Sequence, residues 1–247
     1  MNTIKKLLVL AALVTAAVAQ SSEPPLGEKR LTIHTLVRED IFAGFLANDT
    51  TRLARGERNV DLLLEQRPDA KADLLAWKAG ATLYRAVAAL ENKNQAEFAK
   101  KYKQATGLFA QAREAGPRSG GVYAVTGGSF VLFADRLPEE HRAAAWGQVW
   151  DSYNVLWKQQ GAMIDKLPVH LRGEVLAGLT MSAQRTGRKE EMAKYLDRTL
   201  ELMAGTPYEA AAKKWKADPA AMATTSLACM NCHDDGRLSA RLTAINK

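Results

Sequence analysis

The 247-residue chain has two cysteines and four histidines, and that scarcity removes several kinds of site. With only Cys229 and Cys232, no second cysteine pair exists to complete a four-ligand structural zinc site. His34, His141 and His170 are scattered far upstream of that pair. No segment shows the apolar–polar alternation of a half-buried strand, which argues against any sheet. No apolar run reaches the roughly 20 residues that a membrane span needs. Gly120-Gly121 and Gly127-Gly128 lack the G-x-G-x-x-G order and the preceding strand of a nucleotide site. The formal charge of +7 is too mild an excess to suggest nucleic acid as a partner.

What is present begins with a leader pattern. Lys5 and Lys6 form a basic n-region, Leu7 to Val18 an apolar stretch, and Ala17-Val18-Ala19 a small-residue cleavage site. Residues 1–19 are thus expected to be a signal peptide cut before Gln20, leaving a soluble mature protein that is periplasmic or otherwise extracytoplasmic, with an uncleaved N-terminal anchor as the alternative. No cysteine follows the cleavage site, so a lipid anchor is not expected. Loss of Lys5 and Lys6 takes the charge to about +5, compatible with an acidic partner or with a plain solvated surface.

The chain spends both cysteines in Cys229-Met230-Asn231-Cys232-His233. Cys-x-x-Cys-His is the attachment signature of a c-type haem, whose two vinyl groups fix the spacing of the thiols. The adjacent His233 then falls under the iron as proximal ligand. A redox Cys-x-x-Cys would sit within a thioredoxin-like βαβ pattern, which is absent. The cofactor expected is one covalent haem c on Cys229 and Cys232, and an export signal agrees with it.

The body of the chain is rich in good helix formers, and its apolar spacing is helical in every long segment. The expected fold class is all-α. Residues 29–56 read as one long helix with Leu31, Val37, Ile41 and Phe45 on its apolar stripe, and His34 on the same stripe. Gly56 ends or interrupts it. Arg52, Arg55 and Arg58 read as a solvent-facing charged edge, with haem propionates as the alternative. Residues 68–90 and 95–115 read as antiparallel partners about an Asn92-Lys93-Asn94 turn. Residues 118–128 read as a glycine-rich loop before a short apolar helix through Phe133. Pro138 and Pro168 start two further helices, the first with an aromatic stripe of Trp146, Trp150, Tyr153 and Trp157, the second with His170 in its first turn. A helix from Asp218-Pro219 through Met222 and Leu227 is expected to carry the haem motif at its end, followed by a short helix over 237–245 bearing Arg237 and Arg241.

Two of these hairpins resemble tetratricopeptide (TPR) repeats. Trp77 and Tyr84 keep the seven-residue spacing of the first repeat helix, and Ala105, Phe109, Ala112 and Pro117 keep that of the second. Gly187 to Leu202 is similar to the turn and second helix of another unit, with Met192 where alanine is usual. The resemblance implies stacked antiparallel hairpins and a protein-docking groove, with a closed bundle as the alternative architecture. The division expected is a signal peptide over 1–19, an all-helical TPR-like domain over 20–217, and a haem-binding segment over 218–247 packed on it.

Only fourteen residues follow His233, and none is Met or His. Such a late motif on a helical body resembles the class II cytochromes, the cytochrome c′ group, in which a residue of the first helix faces the distal side of the haem. Met222 and Met230 are too close to the proximal helix or loop to reach around the porphyrin, and Met163, Met181, Met192 and Met203 read as gap fillers among apolar residues. His34, on the first helix, is therefore the candidate distal iron ligand, with a core histidine bonded to a carbonyl as the alternative. The function expected is single-electron transfer to a redox partner protein, by a carrier rather than an enzyme. Gas or peroxide chemistry at an open iron, and a haem-stabilised helical scaffold, are the alternatives.

Overall fold

Short polar side chains start four of the described α-helices, and left-handed residues lie at the ends of several. Thr32 accepts the Thr35 N–H at 3.2 Å and opens α1 (Ile33–Ala47). Asn48, at φ 54°, closes it. Asp49 then accepts the N–H groups of Thr51 and Arg52 and opens α2 (Thr50–Gln66). The computed structural model describes residues 23–227 and 235–247, and within them the chain forms helices and no strand. The expected leader and the Cys229–His233 motif lie outside the described residues.

The single helix expected over 29–56 is two helices, because Asn48 and Asp49 supply a stop and a start in succession. Leu31, Val37, Ile41 and Phe45 are buried as their spacing predicts. Gly56 ends nothing; it lies inside α2, where an added Cβ would come within 3.0 Å of Ile41. Gly44 on α1 similarly faces the Leu53 Cβ, at 2.7 Å from where its own would be. The two glycines let the α1 and α2 backbones close on each other.

A short 3-10 turn at Pro68–Ala70 leads into α3 (Lys71–Glu91), whose partner α4 (Gln95–Ala115) is capped by Asn94. Trp77, Tyr84, Ala105, Phe109 and Ala112 are all buried between these elements and their neighbours. Tyr84 also donates its hydroxyl to Asn48 Oδ1 at 2.5 Å, fixing α3 to the α1–α2 turn.

The expected loop at 118–128 is instead the first half of α5 (Gly120–Phe133), capped by Ser119. Its glycines serve packing: a Cβ at Gly121 would meet Asp73 at 2.7 Å, and one at Gly127 the Tyr153 ring at 2.7 Å. Tertiary contact thus overrides the loop propensity of paired glycines. α6 (Glu139–Gln160) returns along α5, and α7 (Val169–Arg185) and α8 (Lys189–Leu202) form the next hairpin about Gly187, at φ 73°. On α6, Trp146 and Tyr153 enter the core, while half-buried Trp150 and Trp157 meet Tyr195 edge-on.

After α9 (Pro207–Ala217) the helix expected to run from Asp218 through Leu227 does not form. Pro219–Ala223 makes one 3-10 stretch, and residues 225–227 are irregular. Thr225 accepts from Trp215 Nε1 at 2.7 Å and donates to the Ala221 carbonyl at 2.6 Å, so the segment is held back against α9. α10 (Arg237–Ile245) matches its expected span and packs on α1. Among the described residues no helix is long and apolar enough to cross a membrane.

Candidate functional site

Adjacent acids on α1 organise the site. Glu39 and Asp40 are 9% and 3% exposed, and a carboxylate so placed requires partners. Glu39 Oε1 accepts the Leu238 N–H of α10 at 2.6 Å. Asp40 accepts Arg52 Nε at 3.1 Å, and Arg55 Nε and Nη2 at 2.6 and 2.5 Å. Arg52 continues outward, its Nη1 donating to Asp235 at 2.7 Å, two positions beyond His233. The Nη2 of the same guanidinium is buried and has no hydrogen-bond partner among the described residues.

Burial works against the charge of Arg52, but its bonds to Asp235 and Asp40 outweigh this and raise its pKa. The bond to Asp40 is the main cause of the rise at Arg55. Arg52 and Arg55 are therefore not the solvent-facing edge that their spacing suggested; of the three arginines only Arg58 is, at 58% side-chain exposure. The reason lies on the neighbouring helix, where Asp40 draws them inward.

His34 lies one and a half turns before Asp40. It is exposed on α1, with neighbouring protein packed close about it. The Trp77 ring is 5.1 Å away, centroid to centroid, and Arg38 Nη1 donates to His34 Nε2 at 3.2 Å. Desolvation by that packing, with the charges of Arg38, His170 and Arg237, pushes the His34 pKa down to about 3. At neutral pH the imidazole is uncharged. His170, half-buried in the first turn of α7, is lowered by burial and by the same Arg237 and Arg38.

The structure thus gathers His34, Arg38, His170 and Arg237, the last only four positions after His233. It separates His141, which packs 4.6 Å from Tyr102 on α4. Arg241 is exposed on α10. Cys229, Cys232 and His233 lie outside the described residues, but both flanks of the motif are tied down. On one side Leu227 is buried and the Ser226 hydroxyl meets Met181 Sδ at 3.6 Å. On the other, Asp235 is held by Arg52 and Leu238 by Glu39.

Sequence reasoning missed two features here. The ion network was hidden because Glu39 and Asp40 fall within an apolar stripe; the available signal was Arg52 and Arg55 one turn apart on the following helix. Met181, read as a gap filler, is buried but also borders a cavity of about 350 Å³ with Arg185, Leu132 and residues 223–226. Met163, read the same way, is 49% exposed.

A second polar cluster follows His170 by one turn of α7. Glu174 accepts the hydroxyls of Tyr153 and Tyr208 at 3.4 and 3.3 Å. Burial pushes its pKa up to about 7, the two hydroxyls opposing the rise. Comparison with models of protein families, with curated proteins and with solved structures finds no match.

Proposed function

We propose that this protein is an extracytoplasmic monohaem c-type cytochrome that passes single electrons to or from a redox partner. One haem would be held by thioether bonds to Cys229 and Cys232, with His233 as the proximal iron ligand. The observation that supports this reading is the His34 imidazole against the Trp77 ring and Arg38, with Arg237 nearby and both flanks of the Cys-x-x-Cys-His run tied down.

The residues present fit such a group. A neutral imidazole has one nitrogen lone pair, which an imidazolium lacks; here it accepts from Arg38 Nη1, and iron would take that place. Arg38 and Arg237 are cations near the same imidazole, suited to propionate carboxylates. Bound haem would supply an iron that changes between the ferric and ferrous states. The protein's part is to hold the two axial histidines, exclude water from one side with the Trp77 ring, and present an edge for docking. His34 is the distal ligand in this reading. Val169 and Leu171, exposed on either side of His170, are the kind of apolar surface a transient partner covers, and the helical hairpins would form its docking frame. The leader pattern over residues 1–19 supports export to the compartment where covalent haem is fitted.

A second reading has its own observation. Arg38 donates to His34 Nε2, the nitrogen farther from the α1 backbone. A histidine and arginine paired above an open iron would suit gas binding or peroxide cleavage instead of electron transfer.

The test is a haem stain on a denaturing gel, then ferric and ferrous optical spectra of the protein matured with its export signal. A stained band and a low-spin spectrum are expected, with staining lost when both cysteines become Ala. An unstained wild type overturns the cofactor assignment. A stained but high-spin protein replaces electron transfer by the second reading.

A further inference from the structure

The Arg52 guanidinium is held from two directions and satisfied on only two of its three nitrogens. Nε donates to Asp40, which is 3% exposed, and Nη1 to Asp235. These bonds fix the plane of the fork, because a guanidinium cannot rotate one nitrogen without moving the others. Nη2 is left buried with no partner among the described residues. A buried charged donor without an acceptor costs more than a neutral one. The position is therefore costly to maintain unless an acceptor arrives from beyond the described residues.

The chemistry of the acceptor is restricted. It must be an anion or a strong oxygen acceptor, since Nη2 can only donate and carries charge. It must also arrive on the motif's side, because Arg52 is bonded to Asp235, two positions past His233. A porphyrin attached at Cys229 and Cys232 brings carboxylates to that neighbourhood. Arg58, six positions further along α2, is exposed and paired with Glu23, so it offers no such preset donor.

We propose that Arg52 is the carboxylate anchor of the site: its Nη2 takes a haem propionate while Nε and Nη1 hold Asp40 and Asp235. The proposal rests on the haem reading above and adds to it the residue that fixes the porphyrin's polar edge. Charge-assisted bonding of this kind orients as well as attracts, because the fork admits a carboxylate only in its own plane.

The experiment uses the full-length, matured protein and the propionate bending band of its resonance Raman spectrum, which responds to hydrogen bonds on that carboxylate. Arg52→Gln is expected to shift the band. Asp235→Asn, which loosens the tether but leaves Nη2 in place, is expected to leave it where it is. An unmoved band in stained, folded Arg52→Gln overturns the proposal. So does an equal shift in Asp235→Asn, which would make Arg52 only a tether. Should Arg52→Gln fail to fold, Arg52→Lys serves in its place: an ammonium bound to Asp40 has no planar third donor, so the same shift is expected and its absence is equally decisive. An unstained wild type removes the carboxylate and sinks the haem reading as well, whereas an unmoved band on a stained protein sinks this inference alone.

Discussion

Leu238 donates its backbone N–H to Glu39 Oε1 at 2.6 Å, across 199 positions of sequence. The N–H belongs to the first turn of α10, where helix amides have no internal acceptor, so a buried carboxylate from α1 caps a helix it is not part of. Replacing Glu39 by Ala is expected to lower stability by about 2 kcal/mol, the worth of a hydrogen bond to a charged group together with an orphaned amide. Glu39→Gln should lose less, since an acceptor oxygen remains. Urea unfolding of the three proteins checks this, and equal midpoints would remove the cap from the account of how α10 is held.

His34→Ala tests the distal assignment. In an electron carrier it should convert a low-spin ferric spectrum to high-spin and open the ferrous iron to carbon monoxide. A folded variant that stays low-spin would exclude His34 and turn attention to Met181, the buried thioether in contact with Ser226.

Glu174 makes stability depend on pH. Its folded pKa, about 7, lies above the usual carboxylate range, so between about pH 4.5 and 7 the folded chain holds a proton that the unfolded chain releases. Its contribution is fully present below pH 4.5 and is lost as pH rises towards 7, on the order of 2 kcal/mol once its residual exposure is allowed for. His34 acts in the opposite sense: its lowered pKa means stability rises as pH climbs from about 3 to 6.5. The difference between wild type and Glu174→Gln isolates the first effect. The variant should gain on the wild type between pH 5 and 7.5, and parallel pH profiles would refute the assignment.

Gly44→Ala places a methyl group where Leu53 Cβ would be only 2.7 Å away. Both atoms sit on helix backbones, so α1 and α2 must separate, at a cost of about 1–3 kcal/mol. The same separation moves Asp40 from Arg52. The variant should therefore be both less stable by thermal melt and less able to hold the Arg52 fork, and an unchanged melting temperature would show that the crossing has slack.

The all-helical class was legible because apolar spacing at the helical period survives local irregularity. The α3–α4 hairpin was legible in detail, since Asn92-Lys93-Asn94 is an unambiguous turn between two long periodic runs. The Asn48-Asp49 break was not, because the apolar stripe of α1 masked a stop signal carried by one backbone angle. The glycines of α5 were misread for a different reason: their value lies in what Tyr153 and Asp73 place against them, which no local pattern encodes. In the site, the stripe misplaced His34, which is exposed while Leu31, Val37, Ile41 and Phe45 are buried, and its company was not legible either. Arg52, Asp40 and Asp235 meet only through tertiary packing, and separately each looks like a surface charge.

α10 has a consequence for the order in which the molecule assembles. Its ties run to Glu39 and Arg30, and Asp235 just before it is tied to Arg52, all far away along the chain. The hairpins between close over a few residues each. Loop entropy favours the local closures first, so a growing or refolding chain passes through a stage with its hairpins packed and its last helix still loose. Docking of α10 against α1 and α2 is then the last of these long-range closures.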